Sequence, residues 1–154
     1  MANWVWGLSL TALTIVVHAT GIAFMVMAAR RVRDRMQGER EGRRALTVTI
    51  VLLGVVGYLL TALHGIEAAI WAAAYWGLGA LPSPHEAMLY SVDSMTTRGA
   101  SGLTLERHWR IFGALEAADG MLLFGVSTAF MFSLMQLYAP FIYGRPQSNG
   151  PGGT

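Results

Sequence analysis

Residues 82–102 read PSPHEAMLYSVDSMTTRGASG, and what this stretch can form decides the fold. Pro82 and Pro84 end any helix that precedes them, because proline has no N–H to give and its ring clashes with the preceding turn. Ser83 or Pro84 then starts a new helix, with Glu86 in its first turn, where a negative charge meets the positive end of the helix dipole. HEAMLYSVDSM (85–95) is an amphipathic helix of about eleven residues, too short to cross a hydrocarbon core of ~30 Å. TTRGASG (96–102) follows, rich in Thr and Gly, with neither a helical nor a strand period.

The flanks are apolar. Of the 154 residues, 54% are hydrophobic and 13% charged, against about 25% charged in an ordinary soluble domain. That balance excludes a soluble enzyme, a disordered tail and a nucleic-acid reader. No charge falls between Trp4 and Ala29, and Met1 to Val5 carry no basic residue. This first run is therefore expected to be an anchor rather than a cleaved signal. A second uncharged run extends from Ala45 to Ile66, meets Glu67 and continues through AAIWAAAYWGLGAL to Leu81. At about 35 residues it must tilt, bend or project beyond the bilayer. A third runs from about Trp109 to Ala139, with its acidic residues, Glu116 and Asp119, near its start. The expectation is an all-α membrane protein with three transmembrane helices and one short re-entrant or interfacial helix. Irregular backbone such as 96–102 survives at membrane depth only when buried in protein or lining a wet cavity.

Charge sets the orientation. All 11 basic residues are arginine, and seven lie from Arg30 to Arg44. Residues 31–44 thus read as a basic cytoplasmic loop in contact with anionic lipid headgroups, with the N-terminus outside the cell (inner) membrane and the C-terminus cytoplasmic. Trp4, Trp6, Trp71, Tyr75, Trp76 and Trp109 would mark the outer interface, and Tyr138 and Tyr143 the inner one. Residues 140–154, with GRPQSNGPGGT, read as a flexible cytoplasmic tail. The absence of cysteine removes disulfides and thiolate chemistry. No nucleophile with its base, phosphate loop or zinc motif occurs, so no enzyme, cofactor or nucleic-acid partner is expected.

Five ionisable residues fall inside the spans: His18, His64, Glu67, Glu116 and Asp119. Each must face protein or water. His64 and Glu67 are i, i+3 on one helix face, as are Glu116 and Asp119. Counting inward from the outer tryptophans puts Glu67 level with Glu116 and His64 level with Asp119, so these four are expected to form one buried polar cluster. It could lock the helices, titrate, or hold a divalent ion. One His among three carboxylates is a weak ligand set, so a structural role is expected and no metal. His18 lies nearer the bilayer centre, apart from the four.

Span, short helix, Thr/Gly loop, span is also the order of elements in the pore module of tetrameric potassium channels. AMLYSVDSMTTRGASGLTLERHWRIFGALEAADGMLLFGVSTAFMFSLMQ (87–136) resembles a pore helix, selectivity filter and inner helix of that superfamily. HGIEAAIWAAAYWGLGAL (64–81) is similar to the outer helix of its small bacterial members. The family filter reads TTVGYGD or TTLGYGD. Thr96, Thr97 and Gly99 match it, while Arg98, Ala100, Ser101 and Gly102 replace Val or Leu, Tyr, Gly and Asp.

The resemblance implies a first transmembrane helix at 1–30 and a channel-like pore module at 45–139. It further implies a homotetramer passing monatomic ions, with the third span lining the axis, the first at the perimeter, and Gly120 and Gly125 as candidate bend points. With the filter altered at four positions, potassium selectivity would be weak or absent, since the carbonyls there replace the ion's hydration shell. Asp93 holds a pore-helix position that in some members pairs with the terminal filter Asp, here Gly102. Arg98 is expected to pair with Asp93 behind the filter instead; the opposite outcome is a ring of inward-facing arginines. Two rivals stay open. One is a non-conducting accessory subunit, and the other is a redox protein holding haem between His18 and His64.

Overall fold

The computed structural model describes residues 2–36, 43–99 and 102–143. Four helices carry them: α1 (Ala2–Met36), α2 (Arg43–Gly77), α3 (Pro84–Met95) and α4 (Arg110–Tyr143). α1, α2 and α4 contain stretches long and apolar enough to cross a membrane, Trp4–Met36, Arg44–Gly77 and Arg110–Pro140. The chain is a multi-pass membrane protein. A helix of 35 residues is about 52 Å long, so α1 and α2 must tilt or protrude from the hydrocarbon.

The helices outrun two of the boundaries expected from sequence. α1 continues through Arg30, Arg31, Arg33 and Arg35 to Met36, so residues 31–36 of the expected basic loop at 31–44 are helix. Arg and Met propagate a helix well, and no Gly or Pro interrupts before Gly38. The cations then sit at the negative end of the α1 dipole. α4 likewise passes through Pro140 to Tyr143; the rest of the 140–154 segment lies outside the described residues.

α2 stops at Gly77, and the chain turns through Gly79 at φ 73°, a left-handed conformation that glycine adopts without penalty. Ser83 then caps α3, its hydroxyl accepting from the Glu86 N–H at 3.2 Å, with Pro84 in the first turn. α3 packs on both α2 and α4, whereas α1 packs on α2 and α4 but not on α3.

Among the described residues, two larger apolar cores and a small cluster of Ala68, Met95 and Leu123 hold this arrangement. One joins α1, α2 and α4 through Met25, Ala29, Val56, Leu60, Leu63 and Leu134, with Tyr138 donating to the Ala29 carbonyl at 2.6 Å. The other gathers Trp71, Tyr75, Ala87, Leu105 and Phe112 around α3. Trp71 and Tyr75 were expected in the outer aromatic belt, and both are fully buried. An aromatic ring with a polar tip suits a membrane interface, but it also suits a buried acid. Apolar side chains such as Val16, Ile50, Tyr58 and Phe132 remain on the outside, as lipid-facing positions require.

Close approach explains one of the two candidate bend glycines. A Cβ on Gly120 would lie 2.5 Å from the Met95 carbonyl oxygen and 2.8 Å from Met95 Cα, at the end of α3, while one on Gly125 would meet nothing within 4 Å. Gly120 is a seat for α3, and neither glycine interrupts α4. Gly120→Val should therefore lower stability in a detergent unfolding titration by about 1–3 kcal/mol through overpacking. Gly125→Ala should be neutral or raise stability by up to about 1 kcal/mol through helix propensity.

Candidate functional site

Polar side chains line the seam where α1, α2 and α4 meet. On α2, His64, Glu67, Trp71 and Tyr75 recur at steps of three, four and four residues, which stacks them on one face. Thr14 and His18 do the same on α1, and Glu116, Asp119 and Ser127 on α4. The pairs between helices advance along α2 while they retreat along α1 and α4, so α2 runs antiparallel to both. The result is a polar column through the bundle.

Glu116 forms its α3-proximal end. Tyr75 Oη donates to Glu116 Oε2 at 2.7 Å, and Ser91 Oγ is hydrogen-bonded to Glu116 Oε1. Ser91 Oγ also donates to the Ala68 carbonyl at 2.8 Å, tying α3 to both long helices. Asp119 comes next, taking hydrogen bonds on Oδ2 from Thr14 Oγ1 at 2.6 Å and Trp71 Nε1 at 3.0 Å. Asp119 Oδ1 has no hydrogen-bond partner among the described residues.

The deepest layer is a closed ring. His18 Nδ1 lies 2.8 Å from Glu67 Oε1, and His64 Nδ1 lies 3.1 Å from Glu67 Oε2. Ser127 Oγ sits 3.1 Å from Nε2 of both histidines. One carboxylate and one hydroxyl thus bridge the same two imidazoles from opposite edges. The rings lie side by side, centroids 5.2 Å apart and tilted 37°, and His64 stacks on Phe124. The rings stand side by side at this short separation, so the two do not face each other across a haem.

All four residues expected to cluster lie on this column, but not in one knot. Glu67 is tied to the histidines, Asp119 to Thr14 and Trp71, and Glu116 to Tyr75 and Ser91. His64 is level with Ser127 rather than Asp119. Trp71 and Tyr75, expected at the membrane surface, are buried, which displaces the aromatic reference on α2 by about two turns. His18, expected apart, is part of the ring. Thr14, Trp71, Tyr75, Ser91 and Ser127 were not assigned to it, although Thr14 is four residues before His18 and Trp71 four after Glu67, the spacing of one helix face.

The Thr/Gly loop begins as a helix cap. Arg98 N–H donates to the Asp93 carbonyl at 3.0 Å and Thr97 N–H to the Ser94 carbonyl at 3.0 Å. With Thr97 at φ 56°, this is a Schellman ending of α3. Glycine usually holds the left-handed position, so a β-branched Thr there costs about 1–3 kcal/mol. The two residues that normally make a hydrophobic contact in this motif are here Arg98 and Asp93. They form an ion pair instead, with Arg98 Nη1 3.3 Å from Asp93 Oδ1, the arginine 71% exposed and the aspartate buried. Gly99 and Gly102 also have positive φ; Ala100 and Ser101 lie outside the described residues.

No family model, curated protein or solved structure matches this chain.

The column's bonds predict unequal costs at Glu116. Glu116→Ala leaves Tyr75 Oη without its acceptor and removes the partner of Ser91 on α4, which should cost about 1–3 kcal/mol in a detergent unfolding titration. Glu116→Gln keeps the side-chain oxygen and should recover at least half of that loss.

Proposed function

We propose that the chain is the subunit of a channel-like membrane protein. Four copies surround an axis, with α3 as a re-entrant pore helix and residues 96–102 as a filter-like loop that discriminates poorly among cations. The carrying observation is where α3 ends. This 12-residue helix is wedged between two spans, and its last residue, Met95, with Thr96 and Thr97 of its cap, lines a hollow with Met121 and Phe124 of α4. A helix C-terminus is the negative end of a dipole and attracts cations. Four such ends around an axis would concentrate cations at the mouth of the loop.

The loop's chemistry argues for weak selectivity. A cage for a dehydrated ion needs carbonyls held in one register. In this chain the N–H groups of Thr97 and Arg98 are turned back into the helix cap, and Arg98 is drawn to Asp93. That pairing supports the arginine head standing behind the loop rather than in the ion path. The arginines from Arg30 to Arg35 at the end of α1 support contact with anionic headgroups and a cytoplasmic position for that end.

Native mass spectrometry in lipid nanodiscs and cation flux into liposomes test the proposal together. The expected result is a tetramer that passes potassium and sodium at similar rates, with flux surviving Arg98→Ala. A monomer without flux overturns the channel reading. Strong preference for potassium overturns the account of the loop, and chloride flux abolished by Arg98→Ala overturns the arginine's placement.

A further inference from the structure

The ring of Glu67, His18, His64 and Ser127 is short of hydrogens. Four nitrogen–oxygen contacts close it. With Glu67 ionised and both imidazoles neutral, each histidine brings one hydrogen and Ser127 brings one, making three for four contacts. The shortfall is visible at one place: His64 Nδ1 and Glu67 Oε2, though 3.1 Å apart, are not aligned as a hydrogen bond, and neither atom has another partner among the described residues. A fourth hydrogen or a metal ion would close the gap between them.

The geometry points to a divalent transition-metal ion of zinc's class, held by His18 Nδ1, His64 Nδ1 and the Glu67 carboxylate. Ligand atoms of these three residues all lie within 4.8 Å of one another. Two imidazole nitrogens and a carboxylate oxygen form a three-ligand set that such ions accept with an open fourth position. Ser127 supplies the outer support: its oxygen has two lone pairs and accepts Nε2–H from both rings, which fixes the tautomer that leaves both Nδ1 lone pairs free for the ion. Charge also closes, since the carboxylates of Glu67 and Asp119 balance a dication in a membrane bundle, where an uncompensated charge is costly. His64 provides the way in. Its side chain is 11% exposed while His18 and Glu67 are buried, and it lines a pocket of about 270 Å³ with Thr61, Val92, Thr96 and Phe124.

This inference stands apart from the channel reading and is tested without flux. The full chain is purified in detergent with His85→Gln and His108→Gln, because exposed His108 lies 3.4 Å from Glu106 and would bind metal on the surface. Zn²⁺ is titrated by calorimetry and Co²⁺ by visible absorption. One ion per chain is expected, with the intense bands of four-coordinate cobalt. Ser127→Ala should weaken binding by about 10–100-fold through loss of ring orientation, and Glu67→Gln by more. The folded protein binding no ion, or binding it equally well with Glu67→Gln, overturns the site. Where Glu67→Gln does not fold, His64→Gln takes its place, since that side chain is the least buried of the three. An unchanged affinity there overturns the site equally.

Discussion

A carboxylate in the middle of a membrane bundle must be met by protein, and Glu67 on α2 is met across the bundle by His18 of α1. That requirement selects which face of α1 meets α2, because only the face carrying His18 reaches Glu67 at 2.8 Å. It also selects the face of α4, because Ser127 must reach both histidines. Between spanning helices, apolar packing has no preferred partner, since lipid tails are as apolar as leucine. Polar pairs therefore carry the specificity. The layers at Asp119 and Glu116 repeat the same logic toward α3, and Ser91 hands the order of the column to the short helix.

The column and the loop are joined through α3. Ser91 binds Glu116, and Asp93, two residues on, binds Arg98 from the start of the loop. Gly120, one residue after Asp119, admits the end of α3 against α4. The column's hydrogen bonds and the stretch Thr96–Gly99 are thus linked through one helix of 12 residues. The pocket beside His64 reaches Thr96 as well, so the two features share a wall in addition to a helix.

The architecture was legible in the sequence because its signals are local and strong. Long uncharged runs, Pro82 and Pro84, and Ser83 before Glu86 place three spans and a short helix with few alternatives. The proximity of Arg98 and Asp93 was also readable, since both lie at the end of one helix. Layering across helices was not. Which residue of α4 stands beside His64 depends on axial offsets that no periodicity encodes, and the aromatic markers used to measure depth were themselves buried ligands of the acids. His18 was missed for a related reason: a lone histidine on an apolar helix has no neighbour in sequence that reveals its partner, and Glu67 lies 49 residues away.

His18 and Glu67 stabilise the bundle as a pair. A double-mutant cycle of His18→Leu and Glu67→Leu, read by unfolding free energy in bicelles, measures this directly. A coupling of about 1–3 kcal/mol is expected, with the double replacement costing less than the sum of the single ones, because each single change strands the other partner inside the bundle. Additive costs, with no coupling between the two sites, would contradict it.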